Sequence, residues 1–160
     1  MLFRSQLLKI PSVSARNEHR ADMSTCAEAV KEHLLKAGAD KAVVYTTAGH
    51  PIVYAEKIID ASLPTILVYG HYDVQPADPL ELWKSPPFEP SIEEEKDNGQ
   101  IVVARGAQDN KGQLMTFFEA VRAWIEVTGK LPINVSFMIE GEEECGSPSL
   151  PEFFRTSGNE

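Results

Sequence analysis

Three short clusters of ionisable residues stand out in this sequence: Gly70-His71-Tyr72-Asp73-Val74, Ala104-Arg105-Gly106-Ala107-Gln108-Asp109-Asn110-Lys111-Gly112, and Glu140-Gly141-Glu142-Glu143-Glu144-Cys145-Gly146-Ser147. They bring one imidazole and several carboxylates to the ends of apolar runs at 64–69, 101–103 and 133–139. Runs rich in β-branched and aliphatic residues read as strands, so the clusters fall where strand ends can deliver side chains to one rim. Nitrogen and oxygen donors of this kind suit a borderline ion such as Zn²⁺. The chemistry they would support is metal-assisted hydrolysis.

Each cluster has more than one reading. In a strand, residues i and i+2 share a face, so His71 and Asp73 can act together while Tyr72 turns away. A ligating histidine commonly has a carboxylate on its other ring nitrogen, which suits Asp73; a buried histidine with a structural partner is the alternative. Asp109 falls at an expected strand-to-helix junction, where it serves either the site or simply as an N-cap. Glu142, Glu143 and Glu144 form either a solvated acidic run or a site in which one carboxylate binds metal and its neighbour accepts a proton from water. Their position directly after an apolar strand favours the second. Ser147 lacks a nucleophile-elbow context, Cys145 has no evident base, and His19, His33 and His50 fall in helix or turn settings. Glu93-Glu94-Glu95 reads as a charged strand edge.

The elements needed to position these groups follow from periodicity. Residues 1–9 and 21–37 carry apolar residues at helical spacing, and Gly38 is placed as a stop. Residues 42–46 and 52–57 read as strands around a turn at Ala48-Gly49-His50-Pro51. The run 65–69 is almost wholly apolar and is expected at the centre of the sheet. The segment 76–90 is a long loop with at most a short helical turn, anchored by Trp83 and Phe88. Residues 92–95 and 101–104 flank Asp97-Asn98-Gly99 as a hairpin. Residues 111–127 form an amphipathic helix through Leu114, Phe117, Phe118, Val121, Trp124 and Ile125. Residues 133–139 are a buried strand, and 150–154 begin another helix after a turn. This order of strands and helices predicts a layered α/β structure.

Composition narrows the function classes. At 160 residues and 42% hydrophobic content the chain can build one core. Its net charge of −9, from 24 acids against 15 bases, opposes a nucleic-acid surface, which needs clustered Lys and Arg. Two cysteines, Cys26 and Cys145, are too few for a disulfide scaffold. No signal-peptide layout is seen, and no apolar stretch approaches the roughly 20 residues of a membrane span. A cytoplasmic protein with neither nucleic-acid nor membrane partners is expected.

Taken together, the three clusters resemble the M20 family of co-catalytic zinc peptidases. Lys9-Ile10-Pro11-Ser12-Val13-Ser14, Leu82-Trp83 and Pro87-Phe88 are similar to its dipeptidase branch, which includes carnosine-type and cysteinylglycine-type enzymes. The resemblance implies His71 as ligand of one zinc, Asp109 as the carboxylate bridging two, Glu144 as ligand of the other, and Glu143 as general base. It gives Asp73 the role of supporting His71 and makes the Asp109–Asn110 peptide cis. Two Zn²⁺ ions per complete site are implied, with Mn²⁺ or Co²⁺ as alternatives. The substrate is then a small peptide, and the full-length protein a homodimer.

The implied fold is a zinc-peptidase catalytic α/β domain with a mixed, largely parallel central sheet flanked by helices, here truncated. Residues 1–160 would be its N-terminal portion, without the lid and dimerisation domain or the C-terminal part that supplies the remaining ligands. The expected activity is hydrolysis of dipeptides or related amides. An N-acyl-amino-acid deacylase on the same site, and a catalytically incompetent fragment acting by association, are the alternatives. The 160-residue chain alone is expected to be inactive.

Overall fold

The computed structural model describes residues 6–97 and 99–157. Most of the helix expected over 1–9 and the Asn98 turn position therefore lie outside the described residues, although 6–8 are helical. Helix α1 (Arg20–Lys36) buries Met23, Cys26, Ala27, Val30 and Leu34, spaced three and four apart as one apolar stripe. It stops at Ala37, and Gly38 follows at φ +106°, where a side chain would also strike Ile125 Cδ1 at 2.7 Å.

Strands β1 (Lys41–Tyr45), β2 (Ile52–Lys57), β3 (Thr65–His71) and β6 (Asn134–Glu140) form one sheet in the order β1-β2-β6-β3. Strands β4 (Ser91–Glu95) and β5 (Gly99–Val103) pair antiparallel as the expected hairpin, apart from that sheet. Helix α2 (Lys111–Thr128) leads into β6, and α3 (Leu150–Ser157) closes the described chain. Short 3₁₀ turns occupy Asn17–His19, Leu80–Leu82 and Glu143–Cys145.

Two expectations change. The sheet is mixed but not largely parallel: among the described residues β1 with β2 and β2 with β6 are antiparallel, and only β3 with β6 is parallel. A short turn joins β1 to β2, which permits only antiparallel pairing, whereas the crossover through α2 brings β6 beside β3 in parallel. The strand expected at the centre, β3, lies at the edge, with Ile66 and Leu67 more than half exposed. The central strand is β6, all seven of whose residues are buried.

One face of the sheet packs Val53, Ala55, Val68, Val135, Phe137 and Ile139 against α1 and α2. Phe118 meets Phe137 edge-to-face at 5.5 Å, a geometry that adds about 0.5–1.5 kcal/mol beyond burial. Within the α2 stripe, Leu114 and Phe118 are buried and Val121 and Ile125 half-buried, but Phe117 and Trp124 point outward. On the other face Leu67, Ser136 and Met138 line a groove with Phe153 and Phe154 of α3. The long loop is tied down much as expected, since Trp83 Nε1 donates to the Ala77 carbonyl at 2.9 Å and the Arg105 guanidinium sits over its ring.

Candidate metal centre

The parallel register of β3 and β6 pairs His71 with Glu140, so both strands end at one level. The chain beyond β3 is held from below: Val74 N–H donates to the Ser12 carbonyl at 2.9 Å, and Ser12 Oγ donates to the Tyr72 carbonyl at 2.7 Å. Tyr72 is turned away from the rim, as expected, and its hydroxyl donates to Pro51 O at 2.7 Å. Its ring passes so close to Gly141 that a Cβ there would lie 2.3 Å from the phenol oxygen. Glycine at 141 is what lets the β6 exit cross this ring.

His71 is buried, with 7% of its side chain exposed, and Asp73 is fully buried beneath it. Nδ1 of His71 lies 3.2 Å from Asp73 Oδ1 and 3.1 Å from the Asp73 carbonyl, which leaves Nε2 facing the rim. Burial of the ring works against its protonation, but the hydrogen bond to Asp73 and the charges of Asp73 and Glu143 outweigh it and raise the pKa to about 9. Asp73 thus contacts the ring nitrogen that faces away from the rim.

Asp109 comes from the turn ahead of α2, and its Oδ1 lies 3.1 Å from His71 Nε2. The helix N-cap is Asn110, not Asp109. Asn110 instead uses its side-chain oxygen to accept the His71 backbone N–H at 3.2 Å, tying α2 to β3. The Asp109–Asn110 peptide is cis. Lys111, the first residue of α2, is buried and spends its ammonium on the carbonyls of Leu7 and Ile10 at 3.1 and 2.7 Å; burial lowers its pKa despite the nearby Cys26 and Asp73.

The acidic run that begins at the last residue of β6 divides into two pairs. Glu140 is buried and accepts from Tyr69 at 2.5 Å and Ser147 Oγ at 2.8 Å. Tyr69 is pushed up to about 12 by partial burial and then by that carboxylate, so it stays a donor. Glu142 is buried against Gly49 and accepts the Ser149 N–H at 3.2 Å. Glu143 and Glu144 sit on the 3₁₀ turn and face the rim: Glu143 Oε2 comes within 3.8 Å of His71 Nε2. One donor atom each from His71, Asp109 and Glu144 lie within 4.8 Å of one another. An imidazole nitrogen with two carboxylates fits a divalent ion of zinc's character. Three residues nevertheless offer fewer donors than two four-coordinate ions need.

Two contacts in this cluster are not evident from the sequence. Ser14 Oγ donates to Asp73 Oδ2 at 2.6 Å, and Gln75 Nε2 donates to Glu144 Oε2 at 2.8 Å. Ser14 lies inside a motif quoted above and Gln75 directly follows one, but no spacing rule links Ser14 to Asp73 across 59 positions. His19, His33 and His50 stay outside the cluster; His50 Nε2 contacts the Ser14 carbonyl at 3.0 Å and His19 pairs with Asp22.

The chain is 33% identical to the Beta-Ala-His dipeptidase of Homo sapiens over 150 residues, covering 94% of this chain and 27% of that protein. It is 34% identical to the Cys-Gly metallodipeptidase dug1 of Schizosaccharomyces pombe over 160 residues, covering 94% of this chain and 33% of that protein. Its fold matches the crystal structure of the M20 family metallo-carboxypeptidase Sso-CP2 from Sulfolobus solfataricus with a TM-score of 0.85 and 39% identity, over 98% of this chain and 33% of that one. The di-peptidase Dug1p from Saccharomyces cerevisiae matches with the same TM-score of 0.85 at 29% identity, over 99% of this chain and 35% of that one. The chain thus spans about a third of the length of the proteins it matches. Residues 67–158, which carry all three clusters, match Peptidase family M20/M25/M40, and the chain belongs to that family.

Proposed function

We propose that this chain supplies the first part of a dinuclear zinc site for the hydrolysis of dipeptides or related amides. The observation that carries the reading is the convergence of His71, Asp109 and Glu144 within 4.8 Å, with Glu143 beside them. The dipeptidase character of the human and fission-yeast relatives supports the substrate class. Bound zinc supplies Lewis acidity that polarises a carbonyl and brings the pKa of water toward 7.

The chain's own residues do the rest of what can be derived. Asp73 accepts from Nδ1 of His71, so the ring offers Nε2 to the rim in a fixed orientation. Asp109, exposed and in reach of that nitrogen, would hold metal together with both His71 and Glu144. Glu143 is 44% exposed in its side chain and is free to accept a proton from water at the rim and return it to a leaving amine. Glu140 and Glu142 are excluded from this role, since both carboxylates are buried and turned to internal donors.

The test is zinc content per chain after equilibrium dialysis, followed by hydrolysis of dipeptides and N-acyl amino acids. Asp109→Ala should lose zinc most severely, because a bridging ligand serves both ions, and His71→Ala should lose less. In the isolated chain, hydrolysis should be absent, since three ligand residues leave the coordination incomplete. Normal zinc binding by Asp109→Ala overturns the reading.

A further inference from the structure

Glu144 is placed for metal binding on a single 3₁₀ turn between two glycines, Gly141 and Gly146, rather than on a regular element. Such a turn does not by itself fix a long carboxylate side chain. The position of Glu144 is set instead by residues just past β3. Its backbone N–H donates to Asp73 Oδ2 at 3.1 Å, and Gln75 Nε2 donates to its Oε2 at 2.8 Å and lies 3.4 Å from its carbonyl oxygen. Asp73 is held in turn by Ser14 Oγ at 2.6 Å and by the His71 ring at 3.2 Å.

We infer that Gln75, with Ser14 as its partner acting through Asp73, is a positioning residue that fixes Glu144 relative to His71 before any ion arrives. This rests on the metal-centre reading above. The stretch His71 to Gln75 thus carries one ligand and tethers the other at two points, so the separation of His71 and Glu144 is built into five consecutive residues. An amide suits the Gln75 position because it donates to one carboxylate oxygen without bringing a positive charge that would compete with the ion. It engages Oε2 and leaves Oε1 available. Asp73 serves as the hub because its two oxygens point different ways, Oδ1 to the imidazole, and Oδ2 to Ser14 and the Glu144 backbone.

The experiment titrates the 160-residue chain with Zn²⁺ against a chromophoric chelator and records the visible absorption of its Co²⁺ form. Gln75→Met keeps length and removes the donor; Gln75→Asn keeps the amide but withdraws it by one methylene. Both should weaken Zn²⁺ binding about 10- to 100-fold, the range for loss of an outer hydrogen bond to a ligand, and alter the Co²⁺ spectrum. Ser14→Ala should do the same to a smaller extent. Because Gln75 is exposed, thermal melting of the metal-free Gln75 variants should match the parent, which a merely structural role for Gln75 would not predict alongside lost affinity. Gln75→Met and Gln75→Asn with Zn²⁺ affinity within twofold of the parent overturn the inference while the centre stands. A parent chain whose Zn²⁺ binding is unaffected by His71→Ala overturns the centre itself, and this inference with it.

Discussion

His71 and Asp73 lie under the rim with 7% and 0% of their side chains exposed, locked by Ser14, Asn110 and the strand below, whereas Asp109 and Glu143 stand at 72% and 44% exposure. One half of the candidate centre is thus part of the core, and the other is presented to solvent. The buried half is costly to disturb because it shares its packing with β3, β6 and α2. The open half can exchange hydrogen-bond partners with solvent. The fold fixes the orientation of His71 and leaves the carboxylates of Asp109 and Glu143 accessible.

The largest effect expected on the open half is on turnover alone. In a polypeptide that carries this segment together with the remaining length of its relatives, Glu143→Gln should lower kcat by about 10²- to 10⁴-fold, the usual loss for a general base. Its zinc content should stay near the parent's. Steady-state kinetics with metal analysis check this, and an unchanged kcat would remove Glu143 from the chemistry.

Beneath the buried half, Phe137→Ala opens a void between β6 and Phe118. Urea unfolding should show a loss of about 3–5 kcal/mol. A loss under 1 kcal/mol would mean that this half is not anchored by the core as described.

Gly70→Ala tests the junction directly above. A methyl there would sit 2.5 Å from Leu114 Cδ2 and 2.7 Å from the Asn110 side-chain oxygen that holds His71. Overpacking of this kind costs about 1–3 kcal/mol, and the His71 amide should lose hydrogen-exchange protection with it. The same substitution at Gly129, with nothing within 4 Å but φ +83°, would test backbone strain without crowding.

The smallest effect lies away from both halves and serves as a control. Burial, and then the charge of Lys36, hold the pKa of His33 below its usual 6.5, against a weaker opposing pull from Glu119. The unfolded chain therefore binds the proton more readily than the folded one. The contribution of neutral His33 is fully present above about pH 6.5 and is lost as the pH falls through its lower folded value. His33→Gln should flatten the stability profile in that window, as read by urea midpoints at a series of pH values, with zinc binding at pH 7.5 unchanged. A profile identical to the parent's would show that His33 does not couple to folding.

Local pattern carried much of this molecule. The helical stripes of α1 and α2, the strands β1, β2 and β6, the β4–β5 hairpin and the position of the acidic clusters at strand ends all follow from periodicity and turn residues, which act over a few positions. The ligand set named from the family resemblance converges in space, and the partner of His71 lies two residues away, within reach of a sequence argument. What pattern could not decide is which strand sits beside which. The runs of β3 and β6 are similarly apolar, and only the crossover through α2 and the turn after β1 put β6 in the middle and β3 at the edge. Nor could it divide Glu140 and Glu142 from Glu143 and Glu144, because that depends on Tyr69 and Gly49 coming from other parts of the chain. Ser14 and Gln75 belong to the same class: their partners are 59 and 69 residues away, and a hydrogen bond over such separations exists only once the tertiary structure has closed the intervening chain.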